Sequence, residues 1–431
     1  MTRVKFLFDN EFTWRSYYES GILSKLEECF EIHYLMINLK NKFEIQNAEY
    51  IKLNKFLSFF LTLNSFSYWT KKRLLSNSFK IRILSIIMGR RLFFEKKYKP
   101  GQSNRSLSAF VGIMAGYANI EVPDIILKSI STKIKHNLLS DKSNIVVYPT
   151  IGGPLCLADL VSLLTKTIGI KTIVCIENWD NIFSKAVFHK KPNKLLVWGP
   201  QSKTFASEIH EMNDDNIILS GSPRINYTKN RIKQFSVKNK KSILFAGGSQ
   251  NINHDLFWLK KVNEVFSHQY IIKYLPHPKN FNHKKHLFIL GKLENIEIII
   301  PEVVQQHTKD YPPLESYTAL YDSIDIVISP LSTISLEALI YNKLSVGIDF
   351  QEYIKLNKRK KYWWATEVFE HYFLLQKCAN FHLIRETQEL TSLKNLLIKN
   401  DYDPNLDLIY SSKNFSETLE NTILEIAETQ N

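Results

Sequence analysis

The sequence has few cysteines, and they are not arranged in the close pairs that disulfide frameworks or zinc sites use. The four cysteines, Cys29, Cys156, Cys175 and Cys378, are scattered through 431 residues. Each lies in or beside an apolar segment, which predicts reduced thiols packed in a core. This pattern excludes a disulfide-stabilised secreted domain and indicates a reducing compartment, so we expect a cytoplasmic protein.

Long apolar runs are missing as well. The longest, residues 56–69, is broken by serine, threonine and asparagine and is shorter than the ~20 residues of a membrane-spanning helix. The apolar run at the start is short and is followed at once by Asp9 and Glu11, which does not predict a signal peptide. Asp322 and Asp325 are spaced too widely for a metal-binding Asp-x-Asp motif, and we expect neither a metal nor a cofactor.

Glycine and proline are sparse, at 14 residues each, and 44% of the chain is hydrophobic, so the composition predicts a globular protein. The length suits two domains of about 200 residues. Strands alternate with helical segments, which predicts parallel sheets with helical crossovers. We expect an α/β protein of two doubly wound Rossmann-like domains facing a central cleft. The first spans residues 1–230, a polar linker follows, and the second spans 242–431, with the last helix packing back on the first.

Acidic residues are outnumbered by basic ones, 42 to 56, and the excess is concentrated. Between residues 52 and 99 the sequence has twelve lysine or arginine residues and one acid, Glu95, interleaved with aromatic and aliphatic side chains. This pattern is typical of a basic amphipathic region that docks at an anionic membrane surface, here the inner membrane face. A solvated helix face is the alternative. Nucleic acid is not an expected partner, because no RNA- or DNA-binding motif is present.

The loop after a predicted strand at 172–176 combines a carboxylate with an aromatic ring, an amide and a lysine. Such a set can bind a polyol and accept a proton from its hydroxyl. We therefore predict Asp180 as a catalytic general base, and as acceptor-binding residues Trp179, Asn181 and Lys185. A turn with the tryptophan packed inward is the structural alternative. Asp9 and Asp159, which also lie near predicted loop or helix starts, are alternative bases.

Three loops of the second half also follow predicted strands. Glycines before a helix let backbone N–H groups approach a phosphate, a histidine between prolines is held in a stiff turn, and hydroxyls at a helix start either bind phosphate or cap the helix. A glutamate one turn further on faces the same mouth and can accept hydrogen bonds from ribose. The predicted donor-binding residues are Gly247, Gly248, Ser249, His277, Lys279, Ser332, Thr333 and Glu337, with His277 also catalytic.

These motifs resemble those of GT-B glycosyltransferases of bacterial surface polysaccharide biosynthesis. His277-Pro278 is similar to the His-Pro motif of Kdo transferases, sialyltransferases and CDP-glycerol glycerophosphotransferases, and Ser332-Thr333 with Glu337 is similar to their phosphate loop and ribose-binding glutamate. Residues 179–186 resemble a W-D-N-x-x-S-K-G loop of transferases from the same pathways, with Ala186 in place of the glycine. Residues 221–226 resemble a G-x-P-x-x-D turn, with Asn226 in place of the aspartate.

The resemblance implies a metal-independent glycosyltransferase. Its partners would be a nucleotide-sugar donor and a glycan or lipid-linked acceptor, to which it would move a sugar or sugar-like group. Two alternatives remain open from the sequence. One is an isomerase similar to nucleotide-sugar 2-epimerases, which share the fold and donor site. The other is a non-enzymatic basic protein that binds membranes or nucleic acid.

Overall fold

The structure, a computed structural model, describes residues 1–39, 45–53, 124–150, 157–184, 188, 190–232, 241–248, 252–277, 296–299, 313–348, 370–395 and 403–429, with parts of 57–71 and 111–118. Most of the basic region 52–99 therefore lies outside the described residues. The chain divides into two compact units. Unit 1 comprises Met1–Pro223 and Ser411–Asn431, and unit 2 comprises Arg224–Tyr410.

Unit 1 is built on a seven-stranded sheet in which every neighbouring pair is parallel. Its strands are near-continuous apolar runs, as expected for strands that are covered on both faces; all six residues of the fourth are buried. The strand order is β3-β2-β1-β4-β5-β6-β7. The strands are β1 Arg3–Phe8, β2 Glu31–Ile37, β3 Ala48–Ile51, β4 Ile145–Thr150, β5 Lys171–Ile176, β6 Lys194–Val197 and β7 Ile217–Leu219.

The helices of unit 1 connect these strands. They are α1 Glu11–Glu19, α2 Ile22–Glu27, α3 Asp124–Ile130, α4 Thr132–Leu139, α5 Leu157–Ile168, α6 Asn181–Ser184 and α7 Pro200–His210, with a 3₁₀ turn at Asp214–Asn216. The sequence between about residues 14 and 30 predicts one continuous helix, and this prediction is wrong because the chain forms the two helices α1 and α2. The chain instead breaks at Gly21, whose φ of 77° lies in the left-handed region that glycine adopts without strain.

Unit 2 contains a six-stranded sheet, also parallel throughout, in the order β10-β9-β8-β11-β12-β13. Its strands are β8 Lys241–Ala246, β9 Tyr270–Leu275, β10 Ile296–Ile298, β11 Ile326–Pro330, β12 Leu344–Ile348 and β13 Phe381–Ile384. The helices are α8 Pro223–Lys229, at which the chain enters the unit, α9 Ile252–Phe266, α10 Leu314–Ser323, α11 Thr333–Ile340, α12 His371–Leu375 and α13 Pro404–Ile409, with a 3₁₀ segment at Thr387–Asn395.

The predicted α/β class is confirmed by these two Rossmann-like sheets. In each sheet the strand order reverses once, between β1 and β4 in unit 1 and between β8 and β11 in unit 2. Ligands of open parallel sheets bind at such switch points, beyond the carboxyl ends of the strands. The residues that follow β1, β4, β8 and β11 are therefore the ones to examine for function.

The last helix, α14 Phe415–Glu428, belongs to unit 1. Its buried face packs into the core formed by β1, β2 and the first helices, where the rings of Phe415 and Tyr17 lie 5.6 Å apart, edge to face. Leu419 and Ile423 are completely buried in the same core. Unit 1 thus depends on a segment that follows the whole of unit 2 in the sequence.

The cysteines only partly match their prediction as core thiols. Cys175 and Cys378 are buried, but Cys29 is exposed, with its thiol directed at Glu420.

In the portion of the chain that is described, no helix is both long and apolar enough to cross a membrane.

Replacing the buried Leu419 of α14 by alanine should destabilise unit 1 by about 2–5 kcal/mol, the range for a leucine deleted from a packed core. Urea denaturation followed by tryptophan fluorescence reports on this core because Trp14 is part of it. Leu424→Ala on the same helix is the matched control, since Leu424 is 42% exposed and should change stability by less than about 0.5 kcal/mol. Equal effects of the two substitutions would contradict the packing described for α14.

Candidate functional site

The turn after β8 lies at the switch point of unit 2 and contains Gly247 and Gly248. The sequence predicted that their backbone N–H groups bind phosphate, but in the structure both groups are already engaged. The N–H of Gly247 donates to the carbonyl of Leu275 at 2.8 Å, and that of Gly248 donates to Oδ1 of Asp255 at 3.0 Å. The fold itself therefore already uses both N–H groups in this structure, and the assignment of the two glycines to the donor site stays a prediction.

The glycines instead allow neighbouring groups to approach the turn closely. A Cβ atom at position 247 would lie 2.6 Å from Oδ2 of Asp255 and 3.2 Å from the backbone nitrogen of His277. A Cβ at position 248 would lie 3.1 Å from Pro330 at the end of β11. The turn is therefore tightly enclosed between α9, β9 and β11, and side chains at these positions would push its neighbours apart.

Asp255, in the first turn of α9, forms part of this turn and is not among the residues predicted from the sequence. Its side chain is 1% exposed, and burial raises its pKa to about 7, although the hydrogen bonds from Gly248 and Tyr274 act in the opposite direction. The hydroxyl of Tyr274 lies 3.4 Å from Oδ2. The sequence did contain a signal for it. Asp255 is an acid near the start of the helix that follows the glycine turn, and acids in a first helical turn are stabilised by the helix dipole.

His277 lies two residues after the end of β9, beside the glycine turn. Its backbone nitrogen is the one that lies close to Gly247, and its side chain is partly exposed. The predicted residues Lys279 and Ser249 lie outside the described residues. The structure thus brings His277 to the carboxyl edge next to the switch point, where a ligand of the sheet would bind.

The hydroxyl-rich start of α11 completes this edge. Ser332 is the N-cap residue, with extended backbone, and its side chain makes no capping hydrogen bond. Ser332 and Thr333 are both partly exposed. The backbone N–H groups at the beginning of a helix and its dipole favour an anion at this point. In the sheet, β11 pairs with β8 at the switch point. The start of α11, which comes after β11, therefore lies beside the glycine turn, which comes after β8.

Glu337 does not project into the open edge as predicted. It is 7% exposed, and its two oxygens accept hydrogen bonds from Arg224 and, at 3.2 Å, from Tyr321. Arg224 belongs to α8, and the nearby carboxylate of Glu337 raises its pKa against the opposing effect of burial. In this structure the carboxylate of Glu337 neutralises a buried guanidinium, and its assignment to donor ribose stays a prediction.

In unit 1, the loop after β5 differs in part from its prediction. Trp179 and Asn181 are 1% and 0% exposed, so neither presents a surface to an acceptor, and the alternative of an inward-packed tryptophan is the one observed. Asp180 is partly exposed between them. Lys185 lies outside the described residues. The buried neighbours hold the backbone of Asp180 in place beyond the end of β5.

The two alternative bases occupy different environments. Asp159, in α5, is 4% exposed and accepts a hydrogen bond from the backbone of Lys190 at 3.1 Å, which favours a structural role. Asp9 is partly exposed at the end of β1, beside the switch point of unit 1. It accepts hydrogen bonds from Tyr148 and Asn10, each at 2.8 Å, and burial raises its pKa despite them.

An Asp-x-Asp spacing that the sequence analysis overlooked occurs at Asp401 and Asp403. Asp403 is the N-cap of α13, and its two oxygens accept the backbone N–H groups of Asn405 at 3.0 Å and Ala379 at 2.7 Å. Asp401 lies outside the described residues. The carboxylate of Asp403 is thus used to cap a helix and to join it to the segment before β13.

No protein-family model matches the chain, and no curated protein sequence is significantly similar to it. Solved structures share its fold over nearly the whole length. UDP-GlcNAc 2-epimerase from Neisseria meningitidis bound to UDP-GlcNAc has a TM-score of 0.55 and 12% identity, covering 99% of this chain and 100% of that one. The wall teichoic acid polymerase TagF has a TM-score of 0.51 and 12% identity, covering 100% and 90%.

A putative UDP-N-acetylglucosamine 2-epimerase from Listeria monocytogenes is similar to the same degree, with a TM-score of 0.53, 11% identity and coverage of 99% and 96%. These neighbours have the GT-B fold. The predicted fold class is therefore confirmed, and at these identities the comparison establishes the fold alone.

Removing one partner of the Arg224–Glu337 pair should be costly, because the other charge stays buried. We expect Arg224→Met and Glu337→Leu each to lower the free energy of unfolding by about 3–5 kcal/mol. The double variant should lose clearly less than the sum, as measured by a double-mutant cycle in urea.

The control for that cycle is Lys261→Met, which breaks the exposed pair between Lys261 and Glu264. It should cost no more than about 1 kcal/mol. Additive losses at Arg224 and Glu337 would show that the two side chains do not depend on each other.

Proposed function

We propose that the protein is a GT-B glycosyltransferase that moves a sugar or sugar-like group from a nucleotide-activated donor to a hydroxyl of a surface polysaccharide or lipid-linked glycan precursor. One observation carries the proposal. At the carboxyl edge of the unit 2 sheet, His277 lies beside the switch point between β8 and β11, and so do the hydroxyls of Ser332 and Thr333 at the start of α11. The similarity to TagF, which is a wall teichoic acid polymerase by name, supports glycosyl transfer in polysaccharide biosynthesis.

The donor phosphates would lie at the start of α11. There Ser332, Thr333 and the first backbone N–H groups offer hydrogen bonds, and the helix dipole favours the negative charge. His277 would donate to a phosphate oxygen from the neighbouring strand end, with Lys279 and Ser249 adding contacts as the sequence predicts. The glycine turn shapes this edge, and Glu337 holds α11 from its buried side through Arg224 and Tyr321.

In the transfer step, an acceptor hydroxyl forms a bond to the anomeric carbon of the donor while the bond from that carbon to the phosphate oxygen breaks. Asp180 is the proposed base that takes the hydroxyl proton. The charge that develops on the departing nucleotide would be stabilised by His277 and the start of α11, groups that are fixed in place before the reaction.

Docking of the basic region 52–99 at an anionic membrane would place the enzyme near a lipid-linked acceptor.

Epimerisation of a nucleotide-sugar is a second candidate. The observation that favours it is the similarity to UDP-GlcNAc 2-epimerases, one of them bound to UDP-GlcNAc, across 99% of this chain. An epimerase would use the same donor edge of unit 2 but would need no acceptor. The two functions therefore differ in what the protein does when only a nucleotide-sugar is supplied.

The donor site is tested by nucleotide binding. In a thermal-shift screen with CMP, CDP, UDP and GDP, a true ligand at a hundredfold its Kd should add ~2.7 kcal/mol of stability.

His277→Ala should weaken binding of that nucleotide about tenfold or more, since a hydrogen bond to a charged group contributes ~1.5–3 kcal/mol. The control is His268→Ala, because His268 is exposed near the amino end of the same strand. Equal affinity in both variants would remove His277 from the donor site.

The reaction is tested by supplying a radiolabelled nucleotide-sugar with and without glycan or lipid-linked acceptors. A transferase releases free nucleotide at a rate that depends on the acceptor, whereas conversion of the nucleotide-sugar at full rate without acceptor identifies an epimerase.

Asp180→Asn should bind nucleotide normally but lower turnover by ~10²–10⁴, while Asp215→Asn on the exposed surface should not. If Asp9→Asn alone shows that loss, the base lies at the end of β1.

A further inference from the structure

The carboxyl group of Asp255 is the one strongly buried acid at the unit 2 switch point among the residues that the structure describes. It forms part of the glycine turn: Oδ1 accepts the N–H of Gly248 at 3.0 Å, and Oδ2 faces the Tyr274 hydroxyl at 3.4 Å. Oδ2 also occupies the space that a side chain at position 247 would need. The carboxyl group therefore determines how the turn lies against α9 and β9.

Among the residues that the structure describes, few positive charges lie near Asp255. Tyr274 approaches it from β9, His254 precedes it on α9, and β11 contributes Pro330 to the other side of the turn. The backbone of His277 closes the turn at the end of β9. Within the described part of the chain, no lysine or arginine forms an ion pair with Asp255. An ionised carboxylate is poorly stabilised in such a site.

We propose that Asp255 is a positioning residue of the donor site that becomes protonated when a nucleotide diphosphate binds at the start of α11. The proposal rests on the proposed donor site. Its physical basis is the repulsion between two neighbouring negative charges, which favours the neutral form of the one that can accept a proton. The proton comes from solvent. The protonated Oδ2 can then donate to the Tyr274 oxygen while Oδ1 still accepts from Gly248, so the turn keeps its shape.

Burial supports this coupling, because it raises the pKa of Asp255 to about 7 from the ordinary value of 3.8. The folded protein then binds this proton more tightly than the unfolded chain does. The resulting contribution to stability is complete below pH about 4 and is lost as the pH rises through about 7. A ligand-free measurement can therefore detect the group before any donor is identified.

The first test measures urea unfolding midpoints of the ligand-free protein from pH 5 to pH 8. The wild-type midpoint should fall over this range more steeply than that of Asp255→Asn, which cannot ionise. Glu264→Gln, which changes an exposed acid of the same helix, should behave as wild type. Identical pH dependence in Asp255→Asn and wild type would overturn the proposal.

Tyr274→Phe provides a second variant should Asp255→Asn fail to fold. The Tyr274 hydroxyl lowers the pKa of Asp255, so its removal should move the wild-type fall in stability to higher pH. A fall that stays at the same pH in Tyr274→Phe would show that the carboxyl group does not titrate in this site.

The second test measures proton uptake on binding of UDP or CDP by calorimetry at pH 8 in two buffers of different ionisation enthalpy. Wild type should take up close to one proton per nucleotide, and Asp255→Asn should take up none. Equal uptake by both proteins would overturn the coupling. If neither nucleotide binds, the donor site and the coupling fail together, whereas the ligand-free midpoints still decide whether the Asp255 carboxyl group titrates in this site.

Discussion

All the strands that the structure describes pair in parallel in both sheets, and the remaining features of the structure depend on this constraint. A parallel strand must be followed by a crossover that returns to the same end of the sheet, so all the strands of a unit end at one edge. The loops that leave this edge diverge where the strand order reverses. In unit 2 that point brings His277, the glycine turn and the start of α11 together from segments far apart in the sequence. In unit 1 the strand order reverses between β1 and β4, so the corresponding point lies between Asp9 and the end of β4.

The sequence was sufficient to predict most of the sheets because strands buried on both faces are nearly continuous apolar runs. The strands β3 and β13, of four residues each and each at an edge of its sheet, were not predicted. The helix expected over 14–30 failed because Gly21 adopts a conformation that ends it. The strand ends that carry His277, Asp180 and Ser332 followed from the same periodicity, and so did their position at the carboxyl edges.

What the sequence could not predict is how the polar groups at those edges are already used. Arg224 and Glu337 are separated by 113 positions and meet only in the folded unit, so a glutamate expected to face a ligand is found neutralising a buried charge. The N–H of Gly248 is likewise satisfied by Asp255, seven residues later. Buried hydrogen-bonding groups are almost always paired in a folded protein. A loop motif therefore indicates which groups reach an edge, but the packing behind the edge decides which of them remain available.

The position of α14 also has a consequence for how the chain is made. Residues 1–223 leave the ribosome before unit 2, yet the core of their sheet is covered only when α14 arrives, after unit 2 has been synthesised. At ordinary elongation rates this delay is on the order of ten seconds or more. Unit 2 is one continuous segment and can fold as it emerges. The nascent unit 1 must meanwhile keep an apolar face out of contact with other chains, which makes it a natural client for chaperones that bind at the ribosome exit.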